Sequence, residues 1–430
     1  MAKQKRPRRD LIQNLLITVL AVSAVLLFAQ SQLYTLGVTM GSDYLSRFTG
    51  TSADADPLHH DQTLALTAPV RVAVTGTYGR YGSVSLTTAA PEFEPLGTLL
   101  GEVLGSSRVY SASSETAFLH ALSTGSSVYY DFCAPLPLSV LAGLMGTTAE
   151  GDELLVQRAV ISDLGGDSVT LFLWDNGGVY LQCISAVSAG ALLDTVSRYE
   201  LGDAHFALDG ALPDSEQLSP LSLFPKDLDD LPLPVYTASS ATGGSERLLT
   251  ALNFNPRTNL RYPDADGTEV IVEGERTLRL SPSGQILYQS GGEDILTISA
   301  SEQTPTLRQA ALGTGQLLTN LLGSHAGEAS LYLRSVRQEE HRTTLEYDYH
   351  VDGIPVRFSD GAPAAVVTLH NNTVEELELR FRQYVSSGQP SLLLPLRQAM
   401  AVAGRTPGAE LVLGYVDRGS ETVSAQWLTL

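Results

Sequence analysis

The chain has 430 residues, of which 43% are hydrophobic, and a formal net charge of −20. The length allows two or three domains beyond a membrane anchor, and the apolar content supports real cores, which excludes a disordered stalk. The first ten residues hold five bases and one acid, a contribution of +4 that leaves −24 on the remainder; so acidic a body argues against nucleic acid and anionic lipid as ligands, and fits cationic ligands, a polymer-rich wall or plain solubility.

Residues 1–10 form a basic tail with Lys3, Lys5, Arg6, Arg8 and Arg9. The run Leu11–Ala29 that follows is apolar and uncharged, and no further charge appears until Asp43. As a helix it is roughly 29 Å long, which matches a hydrocarbon core of about 30 Å. Basic residues stay on the cytoplasmic side, so residues 11–36 are expected to hold one membrane-spanning helix with the bulk of the chain outside the cell. A cleaved signal peptide would need a shorter apolar core and a small-residue site, and Leu27-Phe28-Ala29 is a poor one. Small residues and buried amides let membrane helices associate, so Gln13, Asn14, Ala21, Ser23 and Ala24 are candidate helix–helix contacts.

Residues 37–67 read as a polar juxtamembrane linker. The first globular region, 68–209, mixes strands and short helices. PVRVAVTGTYG is a strand by its alternating Val70, Val72 and Val74, and Pro91 opens a helix carrying Phe93, Leu96, Leu100 and Val103 at helical spacing. SRVYSA is strand-like, and Ser113 or Ser114 can cap the next helix. SVYYDFC is a strand, PLSVLAGLMG a helix, and three more strands follow, the last two joined at Asp175–Gly178. A helix over about 186–198 closes the region. Residues 210–240, with prolines at 213, 220, 225, 232 and 234, read as an extended connection.

A middle region, 241–325, has a short helix, a meander cornered at Asp264–Gly267, Glu273-Gly274 and Pro282–Gly284, and a long helix from about Thr306 to Leu322 ended by Gly323. The C-terminal region, 326–430, repeats that plan, with turns at Asp352-Gly353, Asp360-Gly361 and Asn371-Asn372. The whole reads as α+β, one transmembrane helix followed by three exterior regions of helices packed on antiparallel meanders, the last two of similar plan.

Catalytic and metal patterns mostly fail. No Gly-x-Ser-x-Gly elbow, His-Glu-x-x-His or zinc-spaced cysteine pair occurs. TGTYGRYGS matches neither phosphate-cradling pattern, and Asp264-x-Asp266-Gly267 places its glycine too early for a calcium loop. His59, His60 and Asp61 have no partner cluster, and Asn371-Asn372-Thr373 fits both a glycosylation pattern and plain turn chemistry. Glu346, Asp348 and His350 share one face of a strand, where acid/base work competes with the blander reading of a solvent-facing sheet surface whose reverse holds Leu345, Tyr347 and Tyr349. Cys133 and Cys183 both fall on strands; outside the membrane they are either bridged or two buried thiols.

Two stretches resemble the YycH-type (YycH/YycI) regulatory proteins of Gram-positive bacteria. In the middle region the matching residues are Phe254, Asn255, Gly267, Gly274, Arg276, Leu278, Leu280, Gly284, Leu287 and Tyr288. In the C-terminal region they are Tyr347, Tyr349, Val351, Gly353, Pro355 and Val356, then Leu413, Tyr415 and Trp427. The resemblance covers residues 245–430, while 68–209 match only by position and size. It implies a single-pass, non-enzymatic accessory of a two-component system in cell-wall homeostasis, with no cofactor and no catalytic residues. Its implied partners are a sensor histidine kinase and a second, YycI-type accessory. The alternatives from the residues themselves are an extracytoplasmic wall- or peptide-binding module without a kinase partner, and a secreted enzyme of unrecognised type.

Overall fold

The computed structural model describes residues 67–430 except positions 150, 152, 176, 214, 227–232, 241–244, 294 and 300–303. The apolar run with Gln13, Asn14, Ala21, Ser23 and Ala24, and the linker histidines, therefore lie outside the described residues. All described residues belong to one compact unit, Leu58–Leu430. Among them, no helix is long and apolar enough to cross a membrane.

The N-terminal half is built on a seven-stranded antiparallel sheet. Its strands are β1 (Pro69–Gly76), β2 (Gly79–Thr87), β3 (Ser111–Ala112), β4 (Ser127–Pro137), β5 (Leu155–Ser162), β6 (Ser168–Trp174) and β7 (Tyr180–Ser188). Their order is β2-β1-β4-β5-β6-β7-β3. TGTYGRYGS turns the chain tightly from β1 into β2. Four helices accompany the sheet: α1 (Glu94–Ser106), α2 (Glu115–Ser123), α3 (Leu138–Leu144) and α4 (Ala189–Val196). Helix α1 follows a turn opened by Pro91 and buries Leu96, Leu99, Leu100, Val103 and Leu104 along one stripe. Ser114 caps α2, its Oγ accepting from the Ala117 N–H at 3.2 Å. The strand expected in SRVYSA shrinks to the two-residue β3, because only Ser111 and Ala112 pair with β7.

Residues 210–240 hold more order than an extended connection. A hairpin of β8 (Ala204–Phe206) and β9 (Leu223–Pro225) packs beside β2, and β10 (Pro234–Ser239) buries Tyr236 and Ala238. Proline at a strand's first position loses no necessary ladder bond, which is why Pro234 does not prevent β10.

After α5 (Ser245–Ala251) come β11 (Leu260–Pro263), β12 (Glu269–Glu273), β13 (Arg276–Leu280) and β14 (Gln285–Gln289), then helix α6 (Leu307–Leu322). Thr306 and Gln309 form a capping box at the start of α6, and Gly323 stands at its end. The C-terminal strands are β15 (Ala329–Glu339), β16 (Arg342–Val351), β17 (Ile354–Phe358), β18 (Ala365–His370), β19 (Thr373–Arg380) and β20 (Gln383–Pro390). Helix α7 (Leu396–Ala403) and strands β21 (Leu411–Asp417), β22 (Thr422–Val423) and β23 (Ala425–Thr429) complete the chain. The two meanders of similar plan are joined edge to edge: β14 pairs antiparallel with β19, setting Ile286 opposite Leu379 and Tyr288 opposite Leu377. The result is one eleven-stranded sheet running from β11 to β23, with β15 paired to β16 off its main path. Strands β20, β10 and β22 form a separate small sheet. The α+β class expected from the sequence is therefore the observed one.

One place where the halves meet is the β16–β17 hairpin against β2. Its Asp352-Gly353 turn has φ of 48° and 77°, the left-handed pair that a tight two-residue hairpin requires. The Ser85 hydroxyl donates to the Asp352 carbonyl, and a Cβ on Gly353 would fall 2.5 Å from the Leu86 carbonyl oxygen. Gly353→Ala thus adds a backbone clash to left-handed strain of about 1–3 kcal/mol. Gly388→Ala is the control, since Gly388 has φ of 71° and nothing within 4 Å of its Cβ position. Urea unfolding should show a clearly larger loss for Gly353→Ala; equal losses would place the hairpin tip away from β2.

Candidate functional site

Charged residues inside otherwise apolar strands define the most unusual feature of the interior. Arg71 on β1 stands opposite Asp131 on β4, and Asp131 stands opposite Arg158 on β5. The three side chains therefore form one row across the sheet. Arg71 Nη2 donates to Asp131 Oδ2, as does Arg158 Nε at 2.9 Å. Glu410, just before β21, closes the row from the C-terminal half: its Oε1 lies 3.0 Å from Arg71 Nη2, and its Oε2 accepts from Arg158 Nη2. Two positive and two negative groups balance. The row continues into aromatics, with Arg158 Cζ 4.4 Å from the Trp174 ring centroid and Trp174 stacked on Tyr180. Burial would raise the Asp131 carboxyl, but the Arg71 and Arg158 guanidiniums outweigh it and hold it at about 2.

A second cluster adjoins the first, since β15 packs beside β4. Asp348 on β16 sits between Arg334 on β15 and Arg357 on β17, each with Nη1 3.4 Å from a carboxylate oxygen. Burial raises its carboxyl above the ordinary value, which the two arginines only partly offset. Cys133 lies between the clusters: burial pushes its thiol up to about 12, and it feels Asp131, Arg71, Arg357 and Glu410. A third cluster holds the small sheet. Asp417 accepts from Arg382 Nε at 2.7 Å and Nη2 at 2.9 Å, from the Tyr384 hydroxyl at 2.8 Å and from the Gly419 N–H at 2.7 Å.

The face carrying Glu346, Asp348 and His350 is not solvent-exposed along its length. Asp348 and His350 are buried, and only Glu346 stays partly open. The His350 ring lies 5.9 Å from that of Tyr332, and burial lowers its pKa to about 4 against the opposing Asp352 carboxylate and Thr67 backbone. Asp348 is clamped by arginines and does not face the imidazole as an acid/base partner, so the three do not converge on a reacting group. The alternation of residues showed which side chains share a face; it carried no information on what covers that face.

The cysteine bridge is also corrected. Both thiols are free, Cys133 half-buried and Cys183 buried. They stand on β4 and β7 with β5 and β6 between, and Cys183 lines up through Leu171 and Ile161 with Val128, not with Cys133; the three strand spacings alone are roughly 14 Å, while a disulfide needs Cα atoms within about 7 Å. Among the described residues, no group of three or more His, Cys, Asp or Glu side chains is placed to hold a metal ion.

The ionic row was missed in the sequence, although a signal existed. PVRVAV, VYYDFC and LVQRAVI each carry a lone charge within a buried strand, and such charges are buried only when paired.

A seven-stranded antiparallel sheet joined through buried ion pairs to a large, mostly antiparallel sheet defines an α+β protein. No protein-family model matches the sequence, and no curated relative matches it. Among solved structures, the chain is similar to the crystal structure of YycH from Bacillus subtilis, with a TM-score of 0.53 and 12% identity over 86% of this chain and 95% of that one. The chain has the YycH fold.

Proposed function

We propose that this chain is a non-enzymatic, single-pass accessory regulator of a sensor histidine kinase in cell-wall homeostasis. The observation that carries the reading is the YycH fold across 86% of the chain. The basic tail and the apolar run Leu11–Ala29 support an anchor with the bulk of the chain outside the cell. Gln13, Asn14, Ala21, Ser23 and Ala24 then supply the contact with the kinase's membrane helices, beside a second, YycI-type accessory. The interior clusters fit this role, because their charges are spent on one another and hold a rigid exterior body.

Scrambling Leu11–Ala29 at constant hydropathy is expected to abolish co-purification of the kinase from membranes while leaving the protein membrane-bound. Unchanged co-purification would move the contact out of the bilayer. The competing reading, a wall- or peptide-binding module with no kinase partner, requires recovery of wall material and no kinase.

A further inference from the structure

We propose that His350 is the catch of an acid-released latch: at neutral pH it holds the start of β1 and the end of β2 against the β16–β17 hairpin, and its protonation lets them part while the rest of the protein stays folded.

The joint is built from few groups. The Ser85 hydroxyl donates to the Asp352 carbonyl, and the Tyr236 hydroxyl donates to the Asp352 carboxylate at 2.8 Å. Gly353 lies so near the Leu86 backbone that no Cβ fits between them. The ends of β1 and β2 are tied to each other: the Thr88 N–H donates to the Ala68 carbonyl at 3.0 Å, and the Ala68 N–H donates to Thr88 Oγ1 at 3.1 Å. At Thr67 the body continues into residues 1–66, which carry the apolar run Leu11–Ala29.

His350 stands two residues before Asp352, between Ser330 of β15 and Pro355 of β17. It is the one buried histidine among the described residues, and neither of its ring nitrogens makes a well-formed hydrogen bond there. From β15 it faces Tyr332, whose phenol is pushed up by burial. Its own strand brings Asp348 and Asp352. Strand β17 brings Arg357 one row on, and Asp348 holds that guanidinium together with Arg334. The first half brings the Thr67 backbone and the Cys133 thiol, which Tyr332 feels and which burial pushes up to about 12. Of these, the Asp352 carboxylate and the Thr67 backbone favour an imidazolium; burial outweighs both and lowers the pKa to about 4.

The closed joint therefore refuses a proton that the open joint takes up. Its pKa lies below the ordinary 6.5, so closure is complete above 6.5 and is lost as pH falls towards 4. With these two values, opening gains roughly twentyfold between pH 7 and pH 5. Asp348 pulls the other way, because its raised carboxyl takes up a proton more readily in the closed state. Opening stays local because the halves are also held by Arg71 and Arg158 on Glu410, beside an Asp131 carboxyl held at about 2. Release at Thr67 loosens the body where it meets the N-terminal segment, whether or not a kinase is the partner.

The test is amide hydrogen exchange, read by mass spectrometry, of the full chain in mild detergent at pH 7 and pH 5. His350→Phe keeps a ring against Tyr332 and is run beside the parent, so that the chemical pH dependence of exchange and the Asp348 contribution cancel. In amides of residues 67–70, 85–88 and 350–354, opening of the parent relative to the variant should rise roughly twentyfold from pH 7 to pH 5. Strands β5 and β6 should show no such rise. The same change in parent and variant, or a rise spread over β5 and β6, overturns the proposal. If the variant fails to fold, exchange at the imidazole ring carbon of His350 in the parent decides. A midpoint well below 6.5 is expected, and one near 6.5 overturns the latch, since the imidazole is then already solvated.

Discussion

Asp131→Ala is expected to lower stability by about 3–5 kcal/mol, the largest effect of any single substitution in this interior. The carboxylate is fully buried and is shared by Arg71 and Arg158, whose side chains are only 10% and 2% exposed. Its removal leaves two guanidiniums on Glu410 alone, in a largely buried place. The same argument gives a contrasting result for wholesale replacement. Arg71→Met, Asp131→Leu, Arg158→Met and Glu410→Met together remove every charge of the row and should cost far less than Asp131→Ala alone, since no charge is stranded. Urea unfolding of the full chain in mild detergent measures both. Acid adds a third arm. The Asp131 carboxyl is held at about 2, below its unfolded value near 4, so its contribution is complete above pH 4 and is lost as pH falls from there through 2. An additive quadruple variant, worse than the single, would show that the row is not a closed unit.

His350 should give the second large effect, at a higher pH. It is 4% exposed, and burial lowers its pKa from 6.5 to about 4. The unfolded chain then binds a proton that the folded chain refuses, so stability falls as pH drops from about 6.5 to 4. A shift of that size is worth about 3 kcal/mol at the acid end. Asp348 works the other way: burial raises its carboxyl above the ordinary value, so its uptake of a proton favours the folded state and opposes the trend. His350→Phe keeps a ring against Tyr332 and should flatten the profile between pH 6.5 and 4. A profile unchanged by that substitution would mean that the imidazole is solvated.

Local elements were legible where one residue fixes a backbone state. Thr306 and Gly323 bracket α6 as expected, and Asp352-Gly353 and Asp264–Gly267 make their turns. What stayed hidden is what non-local pairing decides. The joint between β14 and β19 pairs Gln285–Gln289 with Glu376–Arg380, segments whose local patterns are complete without each other. Glu410 reaches Arg158 across 252 positions, so the charges in β1, β4 and β5 were visible while their closing partner was not. The prolines around β10 advertised an unpacked linker, yet Tyr236 is buried there with its hydroxyl donating to Asp352 at 2.8 Å. Asp348 and His350 were placed on the correct common face, which the packing of the folded chain takes away from solvent.

In-cell crosslinking of the chain, followed by mass spectrometry of its partners, tests the proposed association with a sensor kinase through the bilayer. The expected result is recovery of a sensor histidine kinase, lost when Leu11–Ala29 is replaced by an unrelated membrane helix. Recovery of wall material or wall enzymes with no kinase would contradict it.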